Sequence, residues 1–250
     1  MSKIEWTEKT WNPVTGCTKI SEGCKNCYAE TLISRFGDVW KRKNGRGFKV
    51  ETHPNRLDEP LKWKEPTKIF VCSMSDLFHK DVPDEFISKV WGTMMMSHRH
   101  QFMILTKRPE RMRSFIIGAK KEGTNPEWER AYKIMYKNVW LGVSAENQRQ
   151  ADKRIPILLS LPAAKRFVSI EPMLGPIDLK DYLNTGLLHW VIVGAESGPK
   201  ARPFDEQWAR EIKDQCVEAD VPFFYKQGRI NGKLVKMPKL DGHIWDQQPK

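Results

Sequence analysis

The 250-residue sequence has no long apolar run. Its most apolar stretches, such as VIVGA at 191–195, are far too short to cross a bilayer, so no membrane span is expected. The opening residues MSKIEWTEKT contain no apolar segment of signal-peptide type, and a cytoplasmic protein is the expectation. No G-x-G-x-x-G follows the first strand-like run, which argues against a dinucleotide-binding domain. Acid is scarce relative to base: 31 Asp and Glu face 42 Lys and Arg, for a formal net charge of +11. That balance favours polyanionic partners, nucleic acid first. Cysteine is scarce as well, at five residues. In a reducing compartment a close group of thiols reads as metal-binding or catalytic rather than as disulfides.

Aromatic residues are plentiful, with ten Trp and eleven Phe, so the chain has the material for a large core. Short apolar, β-branched runs recur and end in polar residues: KIFVCSMSD (68–76), QFMILTKRP (101–109), NVWLGVSAEN (138–147), KRFVSIEPM (165–173), HWVIVGAESG (189–198) and PFFYKQG (222–228). Each has the character of a buried strand. Helical spacing appears between several of them, over 83–98 (Asp84 a candidate N-cap), 109–123, 127–137 and 204–220. Strand and helix in alternation predict an α/β fold with a parallel (β/α) barrel, complete or partial. Polar groups at the ends of parallel strands then surround one mouth. We expect this barrel to fill residues 1–228, with a cluster loop at 16–28 and an irregular basic insertion at 40–66. The tail 229–250 is expected to be irregular and to pack on the barrel. Basic residues gather at 41–49, 106–113 and 225–239.

Three of the five cysteines, Cys17, Cys24 and Cys27, lie within eleven positions as C-x6-C-x2-C. A structural zinc site wants four ligands, and only one C-x-x-C is present. The nearest later histidines, His53 and His79, are not at finger spacing, so zinc would need a distant ligand. A redox C-x-x-C pair leaves Cys17 unexplained. A [4Fe-4S] cluster held by three thiolates keeps one iron open, and S-adenosylmethionine can ligate that iron and be cleaved reductively to a 5′-deoxyadenosyl radical. Gly16 and Gly23 would let the loop fold round the cube through positive φ. The helix starting at YAETLISRF would turn its N-terminus to the anionic cluster.

The stretch IEWTEKTWNPVTGCTKISEGCKNCYAE resembles a phage and prophage family of radical-SAM-like proteins with a three-cysteine motif, long labelled a domain of unknown function. FVCSMSDLFH, ILTKRPERM, NVWLGVSAEN, RFVSIEPMLGPI, HWVIVGAESGPKARP and FFYKQ follow its pattern in order along nearly the whole chain. The resemblance implies a [4Fe-4S] cluster on Cys17, Cys24 and Cys27, S-adenosylmethionine as cosubstrate, and an external electron donor. The familiar radical SAM spacing is C-x3-C-x2-C with an aromatic before the last cysteine. Here the first gap is six residues, Asn26 precedes Cys27, and the aromatic Tyr28 follows it.

By analogy with radical SAM enzymes, Ser73, Ser75 and Asp76 would meet the cosubstrate's amino group, and Ser144 and Glu146 its ribose. Glu196 and Tyr28 join these cofactor-binding candidates. Lys107, Arg108, Glu171 and Lys226 are the candidate catalytic or substrate-binding groups, the cations suited to a phosphate. Each has a plainer rival reading: a carboxylate can cap a helix or pair with a lysine, and Lys226 can pair with Glu146 or Glu171. Trp11 is expected to pack, His79 to be structural, and Cys72 to be an inert thiol inside a strand. The expected function is a radical-SAM-like enzyme acting on nucleic acid or a nucleotide-derived substrate, in base modification or repair, with a partner protein as a further candidate interaction. Two rivals are a zinc-stabilised nucleic-acid-binding protein without catalysis and a metal-free barrel hydrolase using Glu146, Glu171 or Glu196. The last leaves the cysteines unexplained.

Overall fold

The structure, a computed structural model, describes residues 4–35, 48–122 and 137–250. Most of the basic stretch 41–49, and residues 127–136 of one expected helix, lie outside the described residues. The chain divides into two compact units. The first comprises Met1–Lys19, Ala29–Leu141 and Leu161–Ala164; the second comprises Ile20–Tyr28, Gly142–Ser160 and Lys165–Lys250.

In the first unit, β1 (Lys9–Trp11) pairs in parallel with β4 (Lys68–Val71), and β4 pairs in parallel with β5 (Gln101–Thr106). Trp11 faces Val71 across the first ladder, and Val71 faces Ile104 across the second. A two-stranded antiparallel ladder joins β2 (Val14–Thr15) to β3 (Glu51–Thr52). Three helices accompany these strands: α1 (Tyr28–Arg35), α2 (Asp84–Met96) and α3 (Pro109–Glu122). Helix α2 buries Phe86, Ile87, Val90, Trp91, Thr93 and Met94; its spacing predicts this apolar stripe with Met95 added, and Met95 is only half-buried. Its N-cap is Pro83 rather than Asp84. Asp84 is already helical, and its carboxylate pairs with Arg111 at 2.6 Å instead of closing the first turn. Trp11 is fully buried; its indole N–H donates to the Arg56 carbonyl at 2.8 Å, so it packs as expected.

Strand β6 (Val139–Ser144), buried at all six residues, passes from the first unit into the second. There β7 (Lys165–Ile170), β8 (Trp190–Gly194) and β9 (Phe223–Ile230) follow in parallel pairs. All five residues of β8 are buried, which accounts for its continuous apolar run. Between the strands lie α4 (Gln148–Leu159), α5 (Lys180–Leu183) and α6 (Glu206–Glu218). Asn147 caps α4 by accepting from the Gln150 N–H, and Asp205 caps α6 by accepting from the Gln207 N–H.

The strand order is β1-β4-β5-β6-β7-β8-β9-β10, with β1 and β10 (Lys233–Lys236) at its two ends. From β1 to β9, consecutive order with a helix between neighbouring strands is that of a (β/α) barrel, here partial. A doubly wound sheet would reverse its order midway.

The tail departs from expectation. Strand β9 runs on to Ile230, turns through Asn231 and Gly232 at φ of 50° and 74°, and returns as antiparallel β10. A second hairpin joins β11 (Lys239–Leu240) to β12 (His243–Ile244) through Asp241 and Gly242, at φ of 53° and 81°. Asn-Gly and Asp-Gly at two positive φ values match the twist of a two-residue hairpin loop. The described part of the 40–66 insertion likewise holds β3 and two short 3-10 turns, Pro54–Arg56 and Pro60–Lys62. Among the described residues no helix is long and apolar enough to cross a membrane.

Candidate functional site

The cysteine loop begins in the first unit. The Gly16 N–H donates to the Met74 carbonyl at 3.1 Å, and the Cys17 N–H donates to the Phe48 carbonyl at 3.2 Å. Gly16 sits at φ +82°, and a Cβ there would lie 1.9 Å from the Lys49 carbonyl oxygen. Only glycine fits, for both backbone and space. Arg108 then reaches the loop. Its guanidinium lies 3.5 Å from the Cys17 sulfur, donates to the Thr18 carbonyl at 2.9 Å, and pairs with Asp76 at 2.9 Å. Burial works against the Arg108 charge, yet Asp76 and the Cys17 sulfur outweigh it and hold the group above its ordinary pKa.

Asp76 is fully engaged: it also accepts from the Phe78 N–H, the Thr106 hydroxyl and the Lys107 N–H, at 3.0, 2.8 and 3.1 Å. Lys107 thus enters this network through its backbone. Ser73 donates to the Asn12 side-chain oxygen at 3.2 Å, and Ser75 donates to the Val14 carbonyl at 2.8 Å, tying the SMSD segment to WNPV. His79 lies 2.7 Å from the Thr18 hydroxyl, and burial lowers its pKa. The structure therefore brings Cys17, Arg108 and Asp76 together, with Thr18 and His79 beside them. Cys72 is corrected in place but not in character. It follows β4 instead of lying within it, at φ +60°, and burial pushes its thiol up to about 12.

The loop continues in the second unit as an arm carrying Cys24 and Cys27. A short 3-10 turn spans Glu22–Cys24. The Gly23 N–H donates to Glu146 at 3.2 Å, and a Cβ on Gly23 would lie 3.0 Å from that carboxyl carbon. Gly23 is thus needed for close approach and not for the positive φ expected of it, since it is not in the left-handed region. The Asn26 side chain donates to Glu196 at 3.0 Å and to the Lys200 carbonyl at 2.7 Å.

Both glutamates are held by arginines. Glu146, fully buried, pairs with Arg154 at 2.9 Å, and Arg154 also donates to the Ser144 carbonyl at 2.7 Å. Glu196 receives the Arg202 backbone N–H and Nε at 2.8 and 2.9 Å. Burial alone would raise the Glu196 carboxyl, but hydrogen bonds from Arg202 and Asn26 overcome it and hold the group below the usual carboxylate range. Glu171 forms an ion pair with Lys226 at 2.5 Å, the plainer of the two readings of that lysine. Tyr28 is 45% exposed.

None of the five cysteines is in a disulfide. Cys17, Cys24 and Cys27 are partly exposed, while Cys72 and Cys216 are buried. Among the described residues no three His, Cys, Asp or Glu side chains stand gathered as a ligand set. The donors are nonetheless right in kind for a thiophilic cluster: three accessible thiols on one short loop. Sequence reasoning missed Arg154, Arg202 and Thr106. Arg154 and Arg202 lie eight and six residues after their glutamates, with no motif at that distance.

Residues 1–249 match the family described as "Protein of unknown function (DUF5131)". The chain belongs to this family. No curated protein matches it by sequence. Among solved structures, it is similar to a cysteine-to-serine mutant of spore photoproduct lyase at 12% identity and a TM-score of 0.48, over 84% of this chain and 72% of that one. It is also similar to a double mutant of that lyase with bound AdoMet and dinucleoside spore photoproduct, at 13% identity and a TM-score of 0.45, over the same shares. A third similar structure is the lyase complexed with dinucleoside spore photoproduct, at 13% identity and a TM-score of 0.44, over 82% and 71%. Likeness at this level does not carry residue roles across.

Proposed function

We propose that the protein is a radical-SAM-like enzyme in which Cys17, Cys24 and Cys27 hold a [4Fe-4S] cluster, with S-adenosylmethionine as cosubstrate. The carrying observation is the division of the thiols: these three are partly exposed on one loop, and the other two are buried. The chemistry such a group supplies is one-electron reductive cleavage of the cosubstrate's sulfonium bond, with the electron from an external donor. The chain's own residues hold the loop. Arg108 fixes its Cys17 end, and an N–H donor 3.5 Å from that sulfur is suited to a thiolate. Its basic surface supports nucleic acid or a nucleotide-derived compound as substrate, in base modification or repair. From Lys226 to Leu240 the chain carries five basic residues and no acid. Lys226, steadied by Glu171, is a candidate for a substrate phosphate.

Anaerobic reconstitution tests the reading. We expect about four irons and four sulfides per chain, with broad absorbance near roughly 400 nm. Alanine at Cys17, Cys24 or Cys27 should abolish or sharply reduce iron binding. Variants that bind as much iron as the parent would sink the proposal, and one zinc without sulfide would select the zinc-stabilised binding protein instead. S-adenosylmethionine use is read separately, as 5′-deoxyadenosine formed after reduction with dithionite.

A further inference from the structure

We infer that Glu146 and Glu196 are positioning residues for the C-x-x-C arm: they clamp residues 22–27 to the ends of β6 and β8. This deepens the reading of the loop as a ligand loop, but it concerns the metal-free chain. Two contacts carry it. Glu146 lies two residues beyond β6 and receives the Gly23 N–H at 3.2 Å. Glu196 lies two residues beyond β8 and receives the Asn26 side chain at 3.0 Å.

Neither glutamate is a loose surface acid. Glu146 is fully buried and Glu196 is 4% exposed. Each is oriented by its own arginine, Arg154 at 2.9 Å and Arg202 through three N–H donors. The arginines also explain how two acids can stand buried at this place, since a buried carboxylate needs a paired and hydrogen-bonded cation. The arm is shaped to the clamp. At Gly23 any side chain would press on the Glu146 carboxyl, with a Cβ 3.0 Å from its carbon. Asn26, between the two cysteines of the pair, spans from Glu196 to the Lys200 carbonyl. Asn147 adds a third tie by donating to Glu22 at 3.2 Å. Cys24 and Cys27 bracket Asn26, so the clamp sets where both thiols stand before any metal arrives.

The test uses full-length, metal-free protein. Lys25 is exposed inside the arm, so tryptic cleavage after it reports arm opening. Iodoacetamide labelling of Cys24 and Cys27, read by peptide mass, reports the same event, with Cys17 as internal reference. Asn26→Ala removes the arm's side of one contact and leaves the Glu196–Arg202 pair intact. Gly23→Ala pushes on the other while retaining both glutamates. Each variant should speed cleavage after Lys25 and labelling of Cys24 and Cys27 by about tenfold, the loss of one hydrogen bond to a charged group, while Cys17 labelling and the circular dichroism spectrum hold. Glu196→Gln, which keeps an acceptor, should fall between the parent and Glu196→Ala. If Asn26→Ala and Gly23→Ala both leave these rates at the parent value, the clamp does not exist. Because no cluster is needed, failure of iron binding leaves this result standing, and failure here leaves the iron result standing.

Discussion

At the scale of single residues, what distinguishes the five cysteines is their surroundings. Cys72 is buried immediately after β4, and losing solvent pushes its thiol up to about 12. Cys216 is buried inside α6 and is raised for the same reason. A thiol so shifted is protonated at neutral pH and does not react. Ellman's reagent should therefore titrate three thiols in the native, metal-free protein and five in guanidinium. Rapid reaction of a fourth thiol under native conditions would remove the separation between loop and core on which the proposed ligand set rests. The two glycines of the loop show a parallel contrast. Gly16 is required by a positive φ and by the Lys49 backbone, Gly23 by a carboxyl group pressed against it. Sequence alone gives both the same explanation, because glycine's two uses leave the same letter.

At the scale of elements, the strands were legible because parallel strands buried on both faces leave continuous apolar runs. Helix α2 was legible because its buried stripe is apolar apart from Thr93. Helix α4 was not: its buried stripe is Ala151, Arg154, Ile155 and Leu158, so a charged residue interrupts it, and Pro156 lies inside the helix. The interrupting arginine is the partner of Glu146, and the residue that hides the helix is the one that orients the clamp. The strand-end residues Ser73, Asp76, Glu146 and Glu196 were also legible as positions. Their partners were not, because spacing along a chain does not show which groups meet across a fold. The two hairpins had clear signals in Asn231-Gly232 and Asp241-Gly242, outweighed in reading by the polar, lysine-rich context. That context makes a prediction. Lys233 and Lys239 are exposed on a stretch without acid. If the two hairpins contact phosphates, through Lys233 on the first and Lys239 on the second, reversing both to Glu should weaken oligonucleotide binding and reduce the slope of log K against log salt by about 1.4 to 1.8, at roughly 0.7 to 0.9 per contact. Fluorescence anisotropy over a salt series measures it. An unchanged slope assigns these two lysines no part in binding.

For the whole molecule, the excess of base and the state of the histidines act together. His53, His79, His100 and His189 all have pKa values below the ordinary value, in each case chiefly because burial disfavours the charged ring. His100 illustrates the cause: it is fully buried, with Nε2 against the Pro60 carbonyl at 3.0 Å. In the unfolded chain these rings take up protons near pH 6.5. In the folded chain they do so only at lower pH. Below about 6.5 the unfolded state therefore binds more protons, and stability falls as pH falls through that range. The buried carboxylate Glu196 is shifted downward too, but its contribution is present above the unfolded value near 4.3 and is lost only as pH falls below that. The two losses are therefore separated on the pH axis. Each proton taken up also adds to a net charge that is already +11, so self-repulsion acts in the same direction as the histidine loss. We expect the calorimetric Tm of the metal-free protein, at constant ionic strength, to be level from pH 8 to 7, to fall from pH 6.5 to 5, and to fall again below about pH 4. A Tm unchanged between pH 7 and 5 would show that these histidines titrate alike in the folded and unfolded chain, and so that burial does not hold them neutral.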